Sequence, residues 1–174
     1  MNDEMAENET LIIVGIDPGS HRTGFGILEL KGDEVHHLNH GVIMLSDEAS
    51  FAHRMLALGE SLHMLLKKHV PGQIAVEKIF LGKSPESAFQ LGHARGVVLA
   101  ESARSGAQIH EYATRSVKKG VTGHGGATKE EVQTTLQKLL GLVKLVNLDA
   151  SDALALAYFQ SQQVLTDRRK AKAK

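Results

Sequence analysis

The chain has 174 residues, 20 basic and 20 acidic side chains, 42% hydrophobic residues and no cysteine, enough for one domain with a proper core and too little for two. A formal net charge of zero excludes a protein that coats nucleic acid by bulk charge, and the missing cysteine excludes a disulfide framework, a thiolate metal site and a cysteine nucleophile. No apolar run approaches membrane-spanning length and the leading segment MNDEMAENET is polar and acidic, so a soluble protein of the reducing cytoplasm without a signal peptide is expected.

Residues 1–10 carry Asp3, Glu4, Glu7 and Glu9 and read as a disordered acidic extension. LIIVGI is a strand-length apolar run, GFGILEL a second, and EVHHLNHGVIML, after the turn cluster Lys31-Gly32-Asp33-Glu34, a third. The main domain, residues 11–165, therefore opens as antiparallel strands. Phe51, Met55, Leu58, Leu62, Leu65 and Leu66 recur at helical spacing until Pro71-Gly72 ends the pattern, which predicts an amphipathic helix. QIAVEKI is a fourth strand with Glu77 near its end. A helix follows from about Pro85, with Ser84 as its cap, and AQIHEY is the fifth strand. TRSVKKGV reads as a short helix and VTGHGG as a flexible loop. Thr128 with Glu131 forms the capping box of a helix running to Gly141, and DASDALALAYFQSQQ is the last helix. Residues 166–174, with Arg168, Arg169, Lys170, Lys172 and Lys174, read as a disordered basic tail. The order predicts an α/β domain: a mixed five-stranded sheet flanked by helices.

Four acids stand where the chain changes direction: Asp17 after LIIVGI, Glu77 in IAVEKIF, and Asp149 and Asp152 in LDASDALALAYF. Ligands of open α/β sheets gather at the carboxyl ends of strands, where Asp17 and Glu77 lie. A carboxylate there is costly to ionise unless a cation offsets its burial. Magnesium or manganese takes hard oxygen ligands, and two such ions about 4 Å apart, sharing a carboxylate, activate water and stabilise a leaving phosphate oxygen.

Each acid also has a plainer reading. Asp-Pro-Gly is common turn vocabulary, although Gly15, Gly19, Gly24 and Gly26 around it let the backbone bend and approach a ligand. Glu77 shares a strand face with Ala75, away from Lys78, and fits a solvated or salt-bridged glutamate equally. Asp149 and Asp152 share one face of a helix's first turn, where capping and the helix dipole explain them cheaply. Capping and metal ligation are compatible.

Arg115, Lys118, Lys119 and Lys129 fall in a stretch, Tyr112 to Lys129, that contains no acid. They grip phosphates or form solvated surface charge. Phe80 in IFLGKSPES either stacks on an unpaired base or fills the core. The histidines lack ligand spacing, His36 and His40 lying in a strand, and no zinc site is assigned. Gly92 and Gly96 leave a smooth patch on the second helix, for which packing within the chain is the default over packing against a second subunit.

GIDPGSHRTGFGIL, AVEKIF, SAFQLGHARGVVLA, VKKGVTGHGGATKEEV and DASDALALA occur in one order and at similar intervals over about residues 11 to 160, and together they resemble the RuvC family of Holliday-junction resolvases. The resemblance implies an RNase H-like fold and a homodimer on four-way junction DNA. It further implies symmetric cutting of two strands of like polarity and partnership with a branch-migration helicase complex of the RuvA and RuvB type. By it Asp17, Glu77, Asp149 and Asp152 are catalytic, metal-binding acids serving two Mg²⁺ ions per site, with Mn²⁺ able to substitute. By it too, Phe80 inserts at the opened junction and Lys118 and Lys129 contact the scissile strand. Lys78, Gly82 and the short loop before Asp149 depart from the family pattern without removing an acid. Two rivals stand beside this reading: a phosphotransferase of the actin and sugar-kinase type, which needs a second lobe this length does not supply, and a non-catalytic binder of branched DNA.

Overall fold

The structure, a computed structural model, describes residues 10–47, 49–78, 85–143 and 147–173. Strands β1 (Thr10–Asp17), β2 (Arg22–Lys31), β3 (Glu34–Met44), β4 (Gln73–Glu77) and β5 (Gln108–Tyr112) form one sheet in the order β3-β2-β1-β4-β5. The first three strands pair antiparallel, while β4 and β5 continue parallel to β1. Helices α1 (Phe51–His69), α2 (Pro85–Arg104), α3 (Thr114–Thr122), α4 (Lys129–Leu139) and α5 (Leu148–Lys172) cover its two faces. The predicted mixed five-stranded α/β architecture is the one observed. Among the described residues no helix is long and apolar enough to cross a membrane.

Alternation along the strands sorts the sheet's side chains into two cores. Val14, Ile16, Ile74 and Val76 pack with Leu58, Leu62 and Leu66 of α1 and Ala94 and Val98 of α2. Ile13, Leu28 and Ala75 face the other way, onto Val117 of α3, Leu136 of α4 and Leu154 of α5. Local chemistry fixes the helix ends. Ser50 accepts from the His53 amide to start α1, and the capping box of Thr128 and Glu131 starts α4. Beyond α4 the chain turns through Gly141 at φ 63°, a conformation that costs glycine nothing.

Two strand glycines do something other than the sequence suggested. A Cβ on Gly15 would collide with the backbone of Ala153 and Ala157, and one on Gly24 with the carbonyl of Asp149. These glycines serve the close approach of α5 to the sheet, not the approach of a ligand. Gly19 does shape the turn, its amide and carbonyl both bonded to the Thr23 hydroxyl.

Two further expectations need correction. The last helix does not stop at Gln163: it runs to Lys172, so most of the expected basic tail is ordered helix. Its residues after Leu165 include the good helix formers Ala, Lys and Arg with no Pro or Gly, its last turn places Arg169, Lys170 and Lys172 at the favourable end of the dipole, and Arg168 donates to the Gly32 carbonyl at 2.8 Å. The expected packing of Gly92 and Gly96 within the chain is not seen among the described residues, where nothing lies within 4 Å of a Cβ built on either. Apart from these corrections, a bulge in β3 opposite Ile27 and Leu28 leaves Leu38 without a strand partner. His37 and His40 thereby reach one face and share a hydrogen bond of 2.8 Å. Of the acidic extension, only Thr10 is described, as the first residue of β1.

Candidate active site

The parallel register pairs Ile16 with Val76, so the next residues, Asp17 and Glu77, end adjacent strands about 4.8 Å apart. Ile16 and Val76 point into the α1 and α2 core, hence Asp17 and Glu77, one step on, point to the α5 side. There α5 lies against the sheet at Gly24 and brings its first turn over the strand ends. Asp17, Glu77 and Asp152 consequently line one pocket, closed by Thr114, Val117 and Lys118 of α3 and Val132 of α4. Asp149 sits off that lining, close enough for its charge to act on Asp152 and Lys129. The helix start is capped by Asn147, whose side chain accepts from the Asp149 amide at 2.8 Å. Neither aspartate supplies that cap.

The pocket is short of positive charge. Burial pushes the Asp17 carboxyl up to about 8, and the charges of Glu77 and Asp152 add to the effect, with Lys129 only partly opposing. Lys129 donates to Asp152. Burial alone would lower the Lys129 ammonium, but its bond to Asp152 and the charges of Asp152, Asp17 and Asp149 hold it above the usual lysine value. Burial nevertheless keeps Asp152 raised, Glu77 and Asp149 contributing. Lys129 offsets only part of the burial and acid repulsion acting on Asp17.

Glu77 is held from two directions. Its Oε1 accepts from the Thr114 hydroxyl at 2.6 Å, and its main-chain carbonyl accepts from Arg95 Nε at 3.2 Å. Arg95 is in turn ion-paired with Glu111 on β5. Thr114, Arg95 and Asn147 escaped the reading of the sequence. Arg95 lies inside the LG-x-ARG run, Thr114 reads only as the start of a short helix, and Asn147 falls in the loop before Asp149.

The expected DNA-binding cations divide. Arg115 and Lys119 are exposed on α3 beside the pocket, with the Arg115 stem packed against Gly125. Lys118 lines the pocket and donates to the Ala127 carbonyl at 2.7 Å. Lys129, expected with Lys118 at the scissile strand, reaches into the acids and donates to Asp152. Phe80 and Ser84 lie outside the described residues.

A divalent cation is the cofactor that the family resemblance implies. Among the described residues no group of three or more histidine, cysteine or acidic side chains already forms a closed cage. The donor chemistry fits: carboxylate oxygens without sulfur, around a buried acid that Lys129 compensates only in part.

Comparison with known proteins agrees with this architecture. A profile of the family described as Crossover junction endodeoxyribonuclease RuvC matches residues 13–159. The protein of that name from Bdellovibrio bacteriovorus is 50% identical over 152 residues, covering 87% of this chain and 90% of its own. The one from Caulobacter vibrioides is 40% identical over 159 residues, covering 91% and 94%. Among solved structures, Thermus thermophilus RuvC in complex with Holliday junction substrate superposes with a TM-score of 0.82 at 29% identity, over 88% of this chain and 94% of that one. The chain, an RNase H-like nuclease, belongs to the RuvC family of crossover junction endodeoxyribonucleases.

Proposed function

We propose that the chain is a magnesium-dependent, structure-selective endonuclease that resolves four-way (Holliday) DNA junctions by symmetric paired incision, in homologous recombination and repair. The names of its relatives and the junction substrate of the Thermus protein support the reading. The observation that carries it to particular residues is the Asp17 carboxyl, buried between Glu77 and Asp152 with too little countercharge. Asp17 would be the acid central to holding the divalent cations, with Glu77 and Asp149 or Asp152 as the further carboxylates that would hold them. When bound, Mg²⁺, or Mn²⁺ in its place, lowers the pKa of the attacking water and stabilises the leaving 3′ oxygen. The products carry 5′-phosphate and 3′-hydroxyl ends. Lys118 and Lys129 balance the charge of the scissile phosphate, Arg115 and Lys119 grip flanking phosphates, and Phe80 stacks at the opened junction.

Paired incision calls for a homodimer, since a two-fold presents two equivalent sites to two equivalent strands. The outward face of α2 supports one: with α2 residues from Pro85 to Ala100 it lines an apolar groove of about 910 Å³, in the layer away from the acids, and Phe89 is 70% exposed. In the cytoplasm the dimer works with a branch-migration complex of the RuvA and RuvB type.

Cleavage of a synthetic four-way junction beside linear duplex, with Mg²⁺ or with EDTA, tests the proposal. The junction is cut only with Mg²⁺, and Asp17→Asn binds it without cutting. Equal cutting of linear duplex, or unchanged cutting by Asp17→Asn, overturns it.

A further inference from the structure

Thr114 opens α3 but does not cap it. The cap position belongs to Ala113, which makes no side-chain cap hydrogen bond. A threonine at a helix start ordinarily spends its oxygen on the first-turn amides. Here the hydroxyl instead donates to Glu77 Oε1 at 2.6 Å, across 37 positions of sequence. The bond is of the short, charge-assisted kind.

The rest of the environment shows why that bond has a task. The Glu77 main chain is already fixed: Arg95 holds its carbonyl, and the amide of Lys78 donates to the Tyr112 carbonyl at 2.8 Å. A glutamate side chain retains three rotatable bonds beyond a fixed backbone, so neither contact decides where its carboxylate points. Among the described residues, Thr114 is the partner that engages a named oxygen of it from another element. The Asp17 side chain also meets Glu77. Thr114 stands four residues before Lys118, hence on the same face of α3, and both line the pocket.

We infer that Thr114 is a positioning residue for Glu77, orienting its carboxylate toward the cation site and tying that orientation to the helix that carries Arg115, Lys118 and Lys119. The inference rests on Glu77 being a cation ligand, as proposed above. It makes α3 more than a rack of cations: the helix that meets phosphates also aims a ligand. A partner that orients a ligating carboxylate changes metal affinity by on the order of 10-fold or more when removed.

Thr114→Val keeps the shape and deletes the hydroxyl, and Thr114→Ser keeps the hydroxyl and deletes the methyl. Binding of Ca²⁺ to the full-length proteins is measured by calorimetry without DNA, alongside the Mg²⁺ concentration for half-maximal junction cleavage and junction binding in EDTA. Thr114→Val is expected to weaken Ca²⁺ binding on the order of 10-fold and to raise the Mg²⁺ requirement, with junction binding in EDTA unchanged. Thr114→Ser is expected to restore both. If Thr114→Val matches a wild type that cuts junctions, or if Thr114→Ser fails as badly as Thr114→Val, the inference falls while the nuclease reading stands. A wild type that neither binds Ca²⁺ nor cuts junctions removes both.

Discussion

Asp17 carries the largest electrostatic consequence of the site, because burial together with Glu77 and Asp152 pushes its carboxyl up to about 8 from 3.8. Between those two values the folded chain in EDTA retains a proton that the unfolded chain has released. Stability therefore falls as pH rises through this window and levels off above the folded value. Several histidines, His37, His40, His69 and His110, are lowered by burial, and their contribution runs the opposite way below about pH 6.5. The comparison is cleanest from pH 6.5 to 8. Thermal melting in EDTA over that range should show wild type losing stability with rising pH, and Asp17→Asn losing less and ending as the more stable protein at pH 8. Parallel curves for the two proteins would mean that Asp17 is not the buried proton site.

At the scale of elements, the placement of Asp152 depends on how closely α5 lies on β1 and β2. That closeness depends on the absence of side chains at Gly15 and Gly24. Gly24→Ala puts a methyl group into the Asp149 carbonyl, so α5 must lift at its first turn. Overpacking of this kind costs about 1–3 kcal/mol, and the acids move with the helix. We expect a lowered melting temperature and loss of junction cleavage, with the far end of α5 still anchored by Arg168 on Gly32. Full cleavage by Gly24→Ala would show that the acids tolerate a displaced helix.

The same elements show what the amino-acid sequence makes legible and what it hides. LIIVGI, GFGILEL and QIAVEKI read as strands because continuous apolar runs bounded by turn residues leave little else. The acids were legible because a carboxylate at a buried strand end demands compensation. The purpose of Gly15 and Gly24 was not, since a strand glycine announces a close approach without naming what approaches. The end of α5 was misread from charge, where helix propensity and the dipole decided the outcome. His37 and His40 meet only through a bulge that no spacing rule reveals. Thr114 and Glu77 are partners only because β4 and α3 meet in the fold, 37 positions apart.

At the scale of the whole molecule, the two helical layers carry different tasks, and the outer face of α2 is the one left open. Phe89 is 70% exposed there, with Leu56 and Met64 of α1 at 58% and 66%, an apolar surface that is costly to leave in water. A two-fold partner sets the same patch against itself, so one substitution acts twice. In the proposed dimer Phe89→Glu would put two like charges into the contact while leaving the exposed monomer surface without strain, and its melting temperature as a monomer should stay close to that of other exposed substitutions. Sedimentation should report a monomer, and junction assays should report single nicks or no cutting in place of paired incision. Gly92→Ala separates a close helix crossing from a looser contact. In a free helix alanine is favoured over glycine by about 1 kcal/mol, and among the described residues nothing opposes a methyl group at Gly92. Weakened dimerisation despite that gain would place the partner's backbone against Gly92, whereas paired incision by a proven Phe89→Glu monomer would end the dimer mechanism altogether.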